Sequence, residues 1–455
     1  MIIDPIISVY ITNRNYGEYL ENAIKSVLKQ SFKNIELIII DDASNDLSHK
    51  IIKKYENKKL CRAIYNFNKK GLIKSSNIAI KAAKGKFIIR LDADDYLEPN
   101  ALSIFYNNIN KDNNIAVVYS DYYLVDKKKN ILSLEKQMTR ARSVMNDKPI
   151  LAACCLIRKT ALFSVNLYDE RFRKQDGYDI WYKLINNFKF KHINLPLFYY
   201  RRHENNLTSN QKNLFKTRTK ILQKFAKKKN NISDLKINCV IPVRGPNVDK
   251  TCNSMEKLHN KPLICYCIDE ALKVNEFKKI IITTSDTKII KFLKKKYKRK
   301  IYFHIRSEKL AKQNLDFKES VILAVKKFNS SPIDILAIMT IESPFRKFFY
   351  LKQAISNLVL HNSDLVIGAV PDIEHNYYKY AKSGIKLISN KKNQTLKLEK
   401  NILLKDSGSF SVYKYSSYIT GSIRKITNVI LDENDSIMIK NSLDLSVANA
   451  IKKNN

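Results

Sequence analysis

The amino-acid sequence predicts two α/β domains in tandem, each with a mainly parallel sheet. The chain has 455 residues, too many for one ordinary hydrophobic core. In both halves, short apolar runs alternate with segments of helical periodicity, as in doubly wound sheets. A polar, lysine-rich stretch separates the halves. We therefore expect a first domain at 1–228, a linker at 229–235 and a second domain at 236–455.

In the first half, each predicted strand is accompanied by a predicted helix. Apolar runs predict strands over 6–11, 35–40 and 86–91, and helical spacing predicts helices over 18–30, 46–56 and 75–83. Ligands bind beyond the carboxyl ends of such parallel strands. Asp41 and Asp42 end the second of these strands, and Asp92 and Asp94 follow the third. We expect these carboxylates to face one crevice.

Three carboxylates, at Asp92, Asp94 and Asp95, follow a buried apolar run. Side chains alternate along a strand, so an Asp-x-Asp ending places two carboxylates on one side of the backbone. Like charges at that distance repel unless a cation lies between them, and Mg²⁺ or Mn²⁺ prefers such oxygen ligands. The alternative interpretation is a solvated loop in which Asp94 and Asp95 open the helix that follows Pro99.

The second half repeats the alternation of strands and helices after the linker. Strands are predicted over 236–242, 279–284, 335–341 and 364–370, and a helix over 262–273. No close sequence repeat relates the two halves, so the similarity that we predict is one of architecture.

The charge of the chain is strongly positive, with 82 Lys and Arg against 43 Asp and Glu. Lys, Asn and Ile are abundant along the whole chain, which favours drift in coding composition over a selected basic groove. No nucleic-acid motif supports a nucleic acid as partner. Attraction to the anionic surface of the inner membrane stays open, while the basic run from Lys294 to Lys300 is interpreted as a solvated helix end.

The seven cysteines predict a reducing compartment, because their number is odd and they form no metal-type CxxC pairs. No signal-peptide pattern and no apolar run of membrane-spanning length are present in the sequence. We expect a cytoplasmic protein, soluble or peripheral to the inner membrane.

Five short motifs follow one another in the first half. They are Ile11–Leu20, Ile40–Asp46, Arg90–Asp95, Gln175–Trp181 and Tyr200–Asn206. With these motifs, residues 5–205 resemble the family 2 glycosyltransferases, which are inverting enzymes. The resemblance implies a Rossmann-like fold of the GT-A, or nucleotide-diphospho-sugar-transferase, type.

The resemblance also implies a role for particular residues. The donor would be bound by Asp41 or Asp42, Asn77 and Asp92; the metal, Mn²⁺ or Mg²⁺, would be held by Asp94 with His203 nearby; and the general base would be Asp176. The donor would be a nucleotide sugar, and the acceptor a glycan or a lipid-linked glycan. One base and one metal suffice for a single displacement with inversion.

Some of these residues also allow structural interpretations. Residues 42–46 are typical of a helix N-cap, and Asp179 is interpreted as a helix-start carboxylate more readily than as the base. His203, beside two arginines, is compatible with a purely structural role, and Trp181 with core packing or acceptor stacking. Arg14 stands where many family members have an aromatic residue, which leaves the donor's identity open.

The second half is similar to the cytidylyltransferases that activate acidic sugars. The matching segments are 241–245, 260–264, 283–286, 342–346 and 408–413, and they place Arg244, Asp286 and Arg346 at a candidate nucleotide or sugar site. The phosphate loop departs from the family, with Pro246 removing an amide donor and Asp249 adding negative charge. Residues 436–440 lack the expected metal-binding Asp pair, and Thr340-Ile341 replaces the Gln-Pro of the sugar-binding strand.

These departures predict that the second domain is catalytically impaired. The leading hypothesis is metal-dependent sugar transfer onto a precursor of a cell-surface polysaccharide or lipopolysaccharide. One alternative is a bifunctional protein that also makes a CMP-sugar, and another is a non-catalytic scaffold. The resemblance also leaves open a homodimer formed through the second half.

Overall fold

The computed structural model describes residues 4–58, 60–137, 153–172, 175–185, 187–203, 211–245, 254–311, 317–372, 378–381, 384–387 and 403–451. The chain divides into two compact units, Met1–Thr217 and Arg218–Asn455. The division falls inside a helix, Gln211–Lys229, ahead of the expected linker. The linker positions hold the end of this helix and a 3₁₀ turn at Ile232–Asp234. The predicted α/β class with two domains in tandem is confirmed.

In the described part of the first unit, nine strands form one sheet. The strands are β1 (Ile7–Asn13), β2 (Ile35–Asp41), β3 (Cys61–Tyr65), β4 (Phe87–Asp92), β5 (Tyr96–Leu97), β6 (Ile115–Val125), β7 (Ile131–Glu135), β8 (Leu156–Arg158) and β9 (Lys189–Arg201). The helices are α1 (Gly17–Leu28), α2 (Ser48–Lys53), α3 (Leu72–Ala82), α4 (Ala101–Ile109), α5 (Lys159–Ser164), α6 (Asp176–Leu184) and α7 (Gln211–Lys229). The strand order is β3-β2-β1-β4-β8-β6-β9-β5, with β7 paired to β6.

The central strands form because their apolar runs are buried on both faces. Residues Ile7 to Ile11 of β1 and Leu37 to Ile40 of β2 are inaccessible or nearly so. Helix α1 packs a stripe onto this sheet through Leu20, Ala23, Ile24 and Val27, at helical spacing. Each fully buried Leu, Ile or Val of this kind stabilises the fold by about 2 kcal/mol. The strands and helices predicted for residues 6–91 are thus confirmed, with small shifts at their ends.

The second unit has a seven-stranded main sheet. Its strands and those of two small hairpins are β10 (Ile237–Pro242), β11 (Lys257–Leu258), β12 (Lys261–Pro262), β13 (Phe277–Thr284), β14 (Tyr302–Ile305), β15 (Ile335–Met339), β16 (Leu365–Asp372), β17 (Tyr378–Ala381), β18 (Gly384–Leu387), β19 (Leu403–Lys414) and β20 (Ile426–Ile430). The helices are α8 (Leu263–Ala271), α9 (Thr287–Tyr297), α10 (Glu308–Ala311), α11 (Lys318–Phe328), α12 (Phe348–His361), α13 (Tyr415–Thr420) and α14 (Ser442–Ala450).

The main sheets of the two units share one topology. The second follows the order β14-β13-β10-β15-β19-β16-β20. Strand β19 is antiparallel between β15 and β16, and β20 runs parallel to β16. In the first unit β8 is likewise antiparallel between β4 and β6, and β9 runs parallel to β6. The architectural similarity predicted between the halves is confirmed.

Two further predictions concern single residues and segments. Trp181 is buried, with 1% of its surface exposed, as expected for core packing. Asp94 and Asp95 do not open the helix after Pro99, because β5 intervenes before α4 begins at Ala101. Among the described residues, no helix is both long enough and apolar enough to cross a bilayer.

Candidate active site

The carboxyl ends of β1, β2 and β4 bring three polar side chains to one edge of the first sheet. The strand register places Asn13 opposite Asp41, and Thr12 opposite Asp92. The Nδ2 of Asn13 donates to Oδ1 of Asp41 at 2.8 Å and to the Ser44 hydroxyl at 3.1 Å. Asp41 and Asp92 therefore end two strands that both neighbour β1.

Asp41 is buried beneath a histidine that sequence reasoning missed. Its Oδ2 accepts from the Ser44 amide at 3.0 Å and lies 2.9 Å from Nε2 of His49. The His49 side chain is 51% exposed, whereas that of Asp41 is 1% exposed. The ring of Tyr65 meets His49 edge-on, with 5.4 Å between centroids. His49 thus forms the accessible side of the Asp41 carboxylate.

The carboxylate of Asp42 accepts hydrogen bonds from other groups of the protein. Its Oδ1 accepts from Nδ2 of Asn66 at 2.9 Å and from the Lys70 amide at 2.8 Å, and its Oδ2 accepts from the Gly71 amide at 2.8 Å. Burial alone would disfavour the charged form, but these hydrogen bonds outweigh it and lower the pKa of Asp42. The carboxylate therefore fixes the segment that enters α3.

The N-cap position of α2 is Leu47, so it lies just outside residues 42–46, and Asp46 precedes it. The Oδ1 of Asp46 accepts from the Ser48 amide at 3.0 Å, at the start of α2, and its Oδ2 accepts from the Gly17 amide at 2.8 Å. A Cβ at Gly17 would lie 2.9 Å from Asp46 Oδ2 and 3.0 Å from the Ser48 nitrogen, so only glycine allows this approach. Arg14 donates to the Asp42 carbonyl at 2.7 Å and secures the same loop.

Asp92 is partly exposed and paired with an arginine on its own strand. The Nε of Arg90 lies 3.0 Å from Oδ1 of Asp92. Arg90 also lines a small cavity of about 20 Å³, with Tyr10, Cys154, Tyr168 and Gly177 among its other walls. This cavity lies between Arg90 on β4 and the beginning of α6, and most of its walls are buried side chains.

Asp94 and His203 are brought together from positions 109 residues apart. The Nε2 of His203 lies 3.0 Å from Oδ2 of Asp94, and the two side chains are 2% and 13% exposed. The ring of Tyr19 stacks on His203 at 5.3 Å, and the ring of Tyr16 contacts it edge-on at 5.6 Å. The surrounding aromatic rings hold the imidazole against the carboxylate.

The buried Arg201, at the end of β9, fixes the backbone of the acidic loop. Its Nε donates to the Asp94 carbonyl at 2.8 Å, and its amide donates to Oδ1 of Asp95 at 2.9 Å. Its Nη1 donates to the Lys127 carbonyl at 2.9 Å. The motif that contains Arg201 was recognised in the sequence, but no local pattern indicated that its side chain would hold Asp94.

The local electrostatics favour a cation. Burial, together with the charges of Asp94 and Asp92, raises the pKa of Asp95 well above its usual value. Burial and the same two carboxylates also raise the pKa of Tyr16. Asp94 and His203 fit a divalent cation that takes its remaining ligands from substrate or water. In the described part of the chain, no cluster of three or more protein ligands forms a complete metal cage.

Asn77 joins α3 to the segment ahead of α6. Its amide donates to the Tyr168 carbonyl at 3.0 Å and to Oε1 of Glu170 at 3.1 Å, and its Oδ1 accepts from the Tyr168 amide at 3.1 Å. Asn77 is 5% exposed. All of these contacts of Asn77 are made within the protein. Its expected role in binding the donor stays a prediction.

Helix α6 begins at the predicted base, Asp176, whose side chain lies outside the described residues. Gln175 precedes it in the left-handed region, with φ of 60°. Asp179, one turn later, is 1% exposed; its Oδ2 accepts from the Asp169 amide at 3.3 Å and lies 3.1 Å from Nζ of Lys183. These contacts favour the structural interpretation of Asp179.

In the second unit, two of the three residues predicted for a nucleotide or sugar site make contacts that stabilise the fold. Asp286 caps α9, accepting from the amides of Lys288 at 2.7 Å and Ile289 at 3.2 Å. Arg346 is 1% exposed. It donates to the carbonyls of Thr340 and Ser409 and lies 3.0 Å from the Cys267 sulfur.

The remaining candidate of the second unit, Arg244, is half-buried just after β10. The phosphate-loop positions Pro246, Val248, Asp249 and Lys250 lie outside the described residues. The departures predicted for that loop therefore stay predictions.

Two family models match the chain, one on each unit. Glycosyl transferase family 2 matches residues 8–172, and Cytidylyltransferase matches residues 253–420. An uncharacterized glycosyltransferase of Methanocaldococcus jannaschii is 30% identical over 206 residues, which cover 43% of this chain and 71% of that protein. The chain belongs to the family 2 glycosyltransferases through its first unit, and its second unit is a cytidylyltransferase-like domain.

Other relatives match the first unit as well. An uncharacterized glycosyltransferase of Rickettsia prowazekii is 33% identical over 192 residues, covering 40% of this chain and 59% of that protein. The chondroitin synthase of Escherichia coli is 30% identical over 192 residues, covering 42% of this chain and 28% of that protein. The chain thus spans well under two thirds of these relatives. A solved structure of S. aureus TarS 1–349 has a TM-score of 0.42 and 19% identity over 50% of this chain and 66% of that chain.

Proposed function

We propose that this chain is an inverting, metal-dependent glycosyltransferase. It moves a sugar from a nucleotide-diphosphate donor to a glycan or lipid-linked acceptor, a precursor of cell-surface polysaccharide or lipopolysaccharide. We place it in the cytoplasm, peripheral to the inner membrane. The names of its relatives, which include a chondroitin synthase and a hyaluronan synthase, support a glycan as the product.

The observation that carries this proposal is the contact between Asp94 and His203, at 3.0 Å. Asp94 lies two residues after Asp92, the last residue of β4. In an open α/β sheet this is the edge at which ligands bind. Asp92 is paired with Arg90, but burial and, after it, the charges of Asp94 and Asp92 still raise the pKa of Asp95, so the carboxylates of this loop repel one another. A divalent cation held by Asp94 and His203 would offset the charge that develops on the leaving diphosphate.

The remaining residues of the edge position the two substrates. Asp92 binds the donor ribose, and Asp41 with the half-exposed His49 contacts the nucleotide base. Asp42 acts indirectly, because its carboxylate holds Asn66, Lys70 and Gly71 beside the crevice. Asp176 takes the acceptor's hydroxyl proton as the oxygen attacks the sugar carbon from the face opposite the leaving group.

The second unit is proposed to lack nucleotidyl transfer. Arg346 donates through Nη1 and Nη2 to Thr340, Ser409 and Cys267, and Oδ1 of Asp286 accepts two amides in a helix cap. Arg346 could therefore bind a triphosphate through these two nitrogens only after buried contacts are broken. The unit serves binding or assembly instead, including a homodimer formed through this half.

A donor screen tests the proposal. Full-length protein is incubated with Mn²⁺ and a panel of UDP-, GDP- and dTDP-sugars, and nucleotide release is measured. We expect release from one donor class, its loss with a chelator or with Asp94→Asn, and its retention in Asp112→Asn, which alters an exposed carboxylate on a turn. Absence of release together with absence of nucleotide-induced thermal stabilisation would instead support a non-catalytic scaffold.

A further inference from the structure

Helix α9 and the 3₁₀ turn that follows it present a continuous cationic surface. We call the exposed side chains Lys288, Lys291, Lys294, Lys295, Lys296, Lys298, Arg299 and Lys300 the α9 basic face. Residues 287–300 contain no Asp or Glu. Ile289, Ile290, Leu293 and Tyr297 are buried, which fixes the rotation of the helix and directs the cations to solvent.

Within the residues that the structure describes, the α9 basic face is not neutralised by carboxylates of the second unit. Among the described residues, no carboxylate forms an ion pair with any member of the face, whereas Lys261, Lys273 and Lys352 pair with Asp269, Glu270 and Glu276. The preceding Asp286 is buried, and Oδ1 of its carboxylate accepts from the amides of Lys288 and Ile289. The surface charge therefore remains available to an external anion.

An apolar side chain borders this face. Strand β14 is the outer strand of the main sheet and follows the basic turn directly. The Nζ of Lys294 lies 5.9 Å from the ring centroid of Phe303, which places Phe303 on the α9 side of the strand. Ile305 lies two residues further, on the same side by strand alternation, and is 59% exposed.

We propose that the α9 basic face docks the second unit on an anionic phospholipid bilayer. Lysines in such a cluster attract anionic headgroups, and Ile305 adds apolar contact at the interface. A nucleic acid is the less fitting partner, because its single strands are bound by exposed aromatic stacking. Tyr297 of this helix is buried, and the exposed Tyr302 lies on the side of β14 opposite to Phe303 by strand alternation. The inference rests on the peripheral membrane location proposed above and identifies the surface that contacts the membrane. Its test does not require sugar transfer.

Vesicle flotation of full-length protein tests this inference. We expect binding to phosphatidylcholine vesicles that contain phosphatidylglycerol, little binding to phosphatidylcholine alone, and release by salt. The triple variant Lys291→Glu, Lys294→Glu, Lys295→Glu should bind about 100-fold more weakly or worse. The control Lys326→Glu, Lys405→Glu, Lys414→Glu changes the net charge equally at exposed positions elsewhere in the unit.

The comparison of the two variants decides the outcome. Retained binding by the control, with an unchanged melting temperature in both variants, supports docking through this face. Equal binding by the two variants, or equal binding of the unaltered protein to both vesicle types, overturns it. Displacement from phosphatidylglycerol vesicles by single-stranded RNA at lower concentration than by soluble phosphate polyanions would identify nucleic acid as the partner and also overturn it.

Discussion

At the scale of single residues, the proposed metal site rests on the contact between Asp94 and His203. The His203 ring is 2% exposed and is held by Tyr16 and Tyr19, so it is positioned before any substrate arrives. Such positioning lowers the cost of assembling a site around a cation. The sequence predicts the two residues through separate motifs, but only the fold brings them within 3.0 Å.

Replacement of His203 by Gln should raise the Mn²⁺ concentration that gives half-maximal donor hydrolysis by about 10-fold or more, since one ligand is lost. The measurement is a Mn²⁺ titration at saturating donor. The matched control is His192→Gln, which breaks a second buried His–Asp pair, His192 with Asp121 at 2.8 Å. That variant should lose stability and keep its Mn²⁺ dependence. A shift of equal size in both variants would argue against metal binding at His203.

The two carboxylates of α6 should separate catalysis from stability. Asp176→Asn should reduce transfer by about 10²–10⁴-fold, because a general base is removed, with donor affinity and melting temperature unchanged. Asp179→Asn should lower the free energy of unfolding by about 2 kcal/mol, because its buried contacts with Lys183 and the Asp169 amide weaken. Single-turnover transfer and urea unfolding of both variants make the comparison. Near-normal transfer by Asp176→Asn would place the base elsewhere.

At the scale of elements, Asp42 illustrates what sequence reasoning reaches and what it does not. Its place at the end of β2 follows from the buried run Ile35 to Ile40, which only a strand in the interior accommodates. Its partners Asn66, Lys70 and Gly71 lie 24 to 29 residues away, so no local sequence pattern predicts these hydrogen bonds. The strand β8 escaped prediction for a related reason: three residues carry too little periodicity to be recognised.

The Asp42 contacts predict a particular pH dependence. Hydrogen bonding lowers the pKa of Asp42 in the folded state, so its stabilisation is present above the unfolded pKa and disappears as pH falls through the folded value. Asp42→Asn should lower the free energy of unfolding by about 2 kcal/mol at neutral pH. The difference from the unaltered protein should shrink below about pH 4. Urea unfolding across this range measures it, and a difference that is constant with pH would contradict the assignment.

At the scale of the whole molecule, the two units share a strand order but differ in the polar side chains at the edge of the sheet. The sequence predicts the shared architecture because both halves alternate strand and helix, although their side chains at the sheet edge differ. The first edge gathers Asp41, Asp92 and Asp94, whereas the second has Thr340, Ile341 and Glu342 after β15. Burial raises the pKa of Glu342.

The full-length protein should therefore make no CMP-sugar. Incubated with CTP, Mg²⁺ and an acidic sugar of the sialic acid or Kdo type, it should release no pyrophosphate above background. Donor hydrolysis by the first unit, measured in the same preparation, shows that the protein is active. Detectable CMP-sugar would overturn the proposed loss of function in the second unit.

Anomalous diffraction from crystals soaked with Mn²⁺ and the donor identified by the screen tests the central claim most directly. The account predicts a Mn²⁺ peak in contact with Asp94 and beside His203, with the donor's diphosphate completing its coordination. A bound donor whose diphosphate and cation lie away from Asp94 and His203 would contradict it.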